Sequence, residues 1–154
     1  MKRLLPALAM LAFASPALAH DYVVNGIHII HPFISEPAPG AMSGAAYLTI
    51  SNESAEPDRF TAVETGIAMM AALHETEFGA DGVARMFELP PVEIAPGETV
   101  AFEPGGAHIM LMMLTGDLKA GDMVPMSLFF DKAGQIDVEF EVMPFDPGAP
   151  AMSH

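Results

Sequence analysis

The chain has 154 residues, 51% of them hydrophobic and 17% charged, with 20 acidic against 6 basic side chains and a formal charge of −14. That length and hydrophobicity suit one domain with a full core and exclude a largely disordered chain. The absence of cysteine excludes disulfides, thiolate metal sites, cysteine nucleophiles and iron–sulfur clusters, while the negative field disfavours nucleic acid and anionic membranes and suits a cation or a basic protein face.

Residues 1–19 read as a secretory signal peptide. Lys2 and Arg3 form its basic start, Leu4 to Phe13 an apolar stretch interrupted by Pro6, and Ala17-Leu18-Ala19 a small-x-small cleavage site. The apolar run is too short to cross a bilayer. There is no lipobox cysteine, so the expected location is the periplasm of a Gram-negative bacterium. Cleavage would leave His20 at the new N-terminus, where an α-amino group and an imidazole could chelate Cu(II).

From Tyr22 onward, short runs rich in Val, Ile, Phe, Thr and Met alternate with turn residues. The expected strands are Tyr22–Ile30, Ala45–Asn52, Arg59–Glu64, Ala68–His74, Val83–Leu89, Thr99–Glu103, His108–Leu114, Met123–Phe130 and Ile136–Val142. Breaks such as Pro37-Ala38-Pro39-Gly40, Pro96-Gly97 and Pro104-Gly105-Gly106 separate them. Ile136-Asp137-Val138-Glu139-Phe140-Glu141-Val142 alternates strictly, as a strand with one dry and one wet face does. No stretch keeps a helical period. The expected architecture is all-β: a single antiparallel Greek-key β-sandwich over residues 20–143, with a Pro- and Gly-bearing tail over 144–154 expected to be mobile.

Methionine and histidine carry the chemistry. Two of the 13 methionines fall in the signal peptide, leaving eleven in the mature chain. Met42, Met70, Met123 and Met126 read as core fillers, the ordinary use of a flexible thioether. The run His108-Ile109-Met110-Leu111-Met112-Met113-Leu114 is different, because strand alternation places His108, Met110 and Met112 on one face. An imidazole and a thioether on one face can share a metal, and that neutral, soft pair favours Cu(I) over Zn(II), Ca(II) or Mg(II). His74 closes an earlier strand, and Met86 follows it by twelve residues across a turn at Phe78–Gly82. A hairpin there would bring the two side chains together. His28 and His31 read as hydrogen-bonding groups at a strand end. Glu75, Glu77 and Asp81 read as a solvated rim that could orient a ligand histidine or attract a cation.

The set His74, Met86, His108 and Met110 resembles, in residue type and spacing, the signature of the PCuAC copper chaperones. The segments Leu73-His74-Glu75, Gly82-Val83-Ala84-Arg85-Met86 and Pro104-Gly105-Gly106-Ala107-His108-Ile109-Met110 are similar to that family, as are Ile27–Pro32 and Ala46–Ile50. One position departs from the pattern: Glu75 stands where the motif admits another methionine. The resemblance spans about Tyr22 to Val142 and implies a cupredoxin-like fold holding one Cu(I) through those four residues. It also implies an acceptor, either the CuA centre of a respiratory oxidase or a thioredoxin-like factor that loads it. A weaker second copper could bind at His20 or in the tail, at Met152 and His154.

Enzyme readings fit poorly: there is no nucleophile elbow and no evident buried pair of carboxylates. A blue-copper electron carrier needs a cysteine thiolate and is excluded. The expected protein is therefore a periplasmic copper chaperone, a monomer given its charge, rather than an enzyme. The alternatives are a copper scavenger or storage protein, or a metal-free β-sandwich module that binds a protein partner.

Overall fold

The structure, a computed structural model, describes residues 21–145. The expected signal peptide, His20, Met152 and His154 lie outside the described residues. Within them the chain forms β1 (Tyr22–Val24), β2 (Ile27–Ser35), β3 (Ser43–Asn52), β4 (Asp58–Thr65), β5 (Ala68–Phe78), β6 (Ala84–Glu88), β7 (Val92–Ile94), β8 (Thr99–Phe102), β9 (Ala107–Leu114), β10 (Met123–Phe130) and β11 (Gly134–Met143). The expected all-β class holds, and the expected strands are present with four main differences, two of them in extent: β2 runs past Ile30 to Ser35, and β5 runs past His74 to Phe78, so His74 lies within its strand rather than closing it. Tyr22–Ile30 is not one strand: Asn25 and Gly26, both at positive φ, make a two-residue hairpin turn that splits it into β1 and β2. The three-residue strand β7, too short for a period to show, was not expected.

The strands join in the order β6-β5-β9-β3-β2-β11-β10-β4-β7, with β1 added beside β2 and β8 beside β3. The sheet is not wholly antiparallel as expected. Residues 33–35 of β2 run parallel to residues 141–143 of β11, every other pairing being antiparallel. The parallel contact joins the first long strand to the last. Curling brings the two halves of the sheet around one core, seen where Phe60 of β4 meets Phe102 of β8 edge-on at 5.6 Å and stacks on Phe130 of β10 at 5.1 Å. Ile29, Ile50, Phe60, Ile109, Leu111, Leu128, Phe140 and Val142 are fully enclosed there.

A bulge shapes the outer surface of β2. Ile30 faces Thr49, but Phe33 faces Tyr47, so β2 uses one residue more than β3 between those points. The extra residue falls at His31-Pro32, where His31 has φ +48° and Pro32 has no N–H to leave unpaired. The shift reverses the alternation. Ile27 and Ile29 point inward before the bulge and Ile34 after it, so Phe33 joins His28 and Ile30 on the outer face. His28 acts as expected near the strand end, but His31 lies at the bulge within β2 and bonds through its backbone rather than its ring. Nδ1 of His28 lies 3.1 Å from Glu53 Oε1, and the backbone N–H of His31 donates to Asp21 Oδ1 at 3.2 Å.

Two buried polar side chains pin the opposite edge. Asn52 gives its two amide hydrogens to the carbonyls of Glu56 (2.8 Å) and Ile94 (2.9 Å), and its Oδ1 accepts from the N–H and hydroxyl of Ser54. All four hydrogen-bonding positions are filled. Asn52→Leu is therefore expected to lower the unfolding free energy by about 2–4 kcal/mol, because the buried Ile94 carbonyl loses its donor and the Ser54 N–H loses its acceptor. Urea unfolding with an unchanged m-value checks this. Asp58, also buried, accepts from the backbone N–H groups of Arg59, Lys132 and Ala133 at 2.8–2.9 Å. Asp58 is thus a single buried acid among the described residues, taken up by backbone donors.

Candidate metal centre

Three adjacent strands carry the four candidate donors, with β5 lying between β6 and β9. On the β9 side, His74 stands directly opposite His108, and Ala72 opposite Met110. On the β6 side, Thr76 stands opposite Met86 and His74 opposite Glu88. Paired residues share a face, and residues two apart on a strand share a face. His74, Met86, His108 and Met110 therefore all stand on the same side of the sheet. Leu73, Ile109 and Leu111, at the alternate positions, enter the core. Directly opposite side chains begin about 5 Å apart and diagonal ones about 7–8 Å, within the reach of imidazole and thioether arms.

Both imidazoles are oriented by the backbone. Nδ1 of His108 lies 3.1 Å from the carbonyl of Gly106, and Nδ1 of His74 lies 3.4 Å from the carbonyl of Ala72. A carbonyl only accepts, so in each ring Nδ1 carries the hydrogen. In the neutral ring that leaves the Nε2 lone pair free for a metal, the arrangement typical of ligating histidines. The two rings lie nearly parallel, 26° apart, with centroids 6.1 Å from one another.

A row of rings supports them from the side. His31, Phe33, Tyr47, His108 and His74 follow one another across β2, β3, β9 and β5, with successive centroid separations of 5.3, 5.1, 6.4 and 6.1 Å. This packing leaves His108 only 6% exposed. Burial pushes the Tyr47 hydroxyl above its ordinary pKa, so it stays a neutral phenol in the working range. At the other end, β6 is exposed along its whole length and Met86 is 51% exposed. The site grades from a sheltered imidazole to an open thioether at the sheet edge.

The acids are placed differently from the expected rim. Glu75 and Glu77 have the parity opposite to His74. Asp81 sits in the hairpin between β5 and β6, where it binds Arg85 (2.7 Å) and accepts from the N–H of Val83 (3.1 Å). The Arg85 guanidinium and that N–H hold the Asp81 carboxyl below the usual range. Gly79 passes beneath this ion pair, where a Cβ would collide with both partners. The acid on the site face is Glu88, which the sequence reading passed over. Its signal was there, two residues beyond Met86 on an alternating strand.

The assignment of methionines to the core fails for three of four. Met126 is 2% exposed, but Met42 is 67%, Met70 54% and Met123 39% exposed. Of the ten methionines among the described residues, Met126 alone is buried; the core is built instead from Ile, Leu, Val and Phe. Among the described residues, no three His, Cys, Asp or Glu side chains gather to hold a metal. Beside the two imidazoles, the side chains on this face that could bind a soft ion are the thioethers of Met86 and Met110. A cavity of 590 Å³ lined by Pro37, Pro39, Leu114, Leu118 and Phe145, among others, contains none of the four donors.

Comparison with known proteins bears on the family and the fold. The LpqE-like lipoprotein family model matches residues 27–142. A protein of Leifsonia xyli subsp. xyli, described as lipoprotein Lxx21020, is 30% identical over 122 residues, covering 79% of this chain and 72% of the relative. The apo PCuAC domain from PmoF1 superposes with a TM-score of 0.71 at 27% identity, covering 81% of this chain and 99% of that one. The copper-bound PCuAC domain from PmoF2 gives 0.69 at 25% identity, covering 81% and 98%. The Cu(I) form of DR1885 from Deinococcus radiodurans gives 0.62 at 27% identity, covering 82% and 81%. With a cupredoxin-like sheet, and with the family match spanning β2 to β11, the chain belongs to the LpqE-like family of PCuAC proteins.

Proposed function

We propose that this protein is an extracytoplasmic copper chaperone that binds one Cu(I) through His74, Met86, His108 and Met110 and delivers it to an acceptor. The observation that carries the reading is the placement of two imidazoles and two thioethers on one face of β6, β5 and β9, with both Nδ1 atoms turned to backbone carbonyls. Neutral, soft donors favour Cu(I) and leave its single charge uncompensated, which suits an ion that must be given up. The copper-bound neighbours support the cargo, and the lipoprotein relatives support a location outside the cytoplasm, the periplasm if residues 1–19 are cleaved.

Delivery would begin at the open end. Met86 lies on an exposed edge strand, so an incoming thiolate can displace it while the sheltered His108 keeps hold of the ion. Thiolates bind Cu(I) more strongly than thioethers, so exchange runs toward a cysteine-bearing acceptor. That acceptor would be an oxidase CuA subunit or a thioredoxin-like factor that assembles it. No bond in a substrate is made or broken, and the protein acts as a carrier rather than an enzyme.

The test is an anaerobic Cu(I) titration of residues 20–154 against a chromophoric chelator. One tight equivalent is expected, about tenfold or more weaker in Met110→Leu, which keeps the side-chain volume and removes the sulfur. Unchanged affinity in that variant would remove Met110 from the site. No competition with the chelator at all would leave the metal-free binding module.

A further inference from the structure

The donor face continues past Met110 along β9 and β5. Met112 follows Met110 by two residues and shares its face, and directly opposite Met112 on β5 stands Met70. Ala72, opposite Met110, is a small residue that leaves space between the sulfur-bearing arms. On its other side Met112 faces Ser43 of β3. Met70 is 54% exposed, Met110 and Met112 are half-buried, and none of the three belongs to the core. An exposed Leu or Thr would serve a plain sheet surface equally well. Here three thioethers occupy one corner of a single face, each about 5–8 Å from the next at its base.

We propose that Met70 and Met112, with the Met110 thioether bridging to the His74–His108 site when both ions are present, form a second site for a soft monovalent cation, Cu(I) or Ag(I). Three neutral sulfurs satisfy a low-coordinate, soft ion and discriminate against Zn(II) and Mg(II), which seek nitrogen, oxygen or thiolate. The set lacks imidazole, so it holds the ion more weakly and fills second. Met110 links the two sites. An ion seated on Met70 and Met112 reaches His108 by exchanging one Cu–S bond for one Cu–N bond at a time. It keeps its +1 charge throughout, and no proton or electron is required. The corner thus serves as an entry shelf feeding the carrier site. The relay to that site rests on the carrier reading; the second site itself does not.

The test uses Ag(I), added as the nitrate in chloride-free buffer to residues 20–154 with 13C-methyl-labelled methionine. The first equivalent is expected to shift the methyl signals of Met86 and Met110, and the second those of Met70 and Met112. The double variant Met70→Leu/Met112→Leu, with both changes outside the core, is expected to bind the second equivalent at least about tenfold more weakly and the first unchanged. The proposal is overturned if Met70 and Met112 do not move at two equivalents. It is equally overturned if Met152 moves in their place, or if the double variant still binds both ions at wild-type affinity. A failure of the carrier reading looks different: His108→Ala would leave the first equivalent untouched, whatever Met70 and Met112 do.

Discussion

Replacing His108 by alanine is expected to weaken Cu(I) binding on the order of a hundredfold or more, because this residue is the sheltered end of the donor set. Loss of groups that merely orient a metal ligand costs about 10–100-fold, and losing the ligand itself should reach at least the top of that range. Two further consequences follow from its surroundings. The Gly106 carbonyl loses its imidazole partner, and the row of rings from His31 to His74 loses its fourth member. Stability therefore falls as well, and thermal unfolding of the metal-free variant must be measured alongside the titration. Met110→Leu and Met86→Leu keep their volumes and should weaken binding with little change in melting temperature. If His108→Ala binds Cu(I) as tightly as the parent, the four-donor site is wrong.

The second large effect concerns the opposite edge and leaves copper aside. Asp58→Ala is expected to cost about 3–5 kcal/mol of stability, since three backbone N–H groups from β4 and the β10–β11 turn lose one common acceptor in a buried position. Asp58→Asn should cost less. Its single carbonyl oxygen can still accept, but its amide presents hydrogens where the turn also presents hydrogens. Equilibrium unfolding in urea orders the three proteins, parent above Asn above Ala. An alanine variant within 1 kcal/mol of the parent, a margin of about the size of one hydrogen bond, would mean that water replaces the carboxyl.

How far the sequence revealed this molecule depends on which physical signal each part left. The strand period placed His108 with Met110 and Met112 before any pairing was known, whereas the same period in β5, which sets Met70 and Ala72 with His74, went unread because Met70 was taken for core. The hairpin that brings Met86 over was visible in the glycines and aspartate of residues 79–82. The alignment of His74 opposite His108 was not, because β5 and β9 are far apart in sequence and only folding sets their register. Tyr47 was hidden for the same reason: it reaches His108 through the β3–β9 pairing. The turn at Asn25-Gly26 left a clear signal that a run of apolar residues obscured. The methionines misled through their hydrophobicity. Parity alone set Met70 on the His74 face, and composition was the weaker guide.

The register between β5 and β9 also bears on how the protein is loaded. A slip of one residue would leave every strand formed but turn His108 and Met110 toward the core, and the donors on β5 would face the solvent without them. On the proposed reading, a chain can hold copper only after β5 and β9 have met in the register that sets His74 opposite His108. Copper, in turn, favours that arrangement over every misaligned or unfolded one, by about 4 kcal/mol when the free ion exceeds its dissociation constant a thousandfold. On the proposed reading, cargo and fold then check each other: misaligned copies would stay empty, and filled copies would be the ones that resist opening.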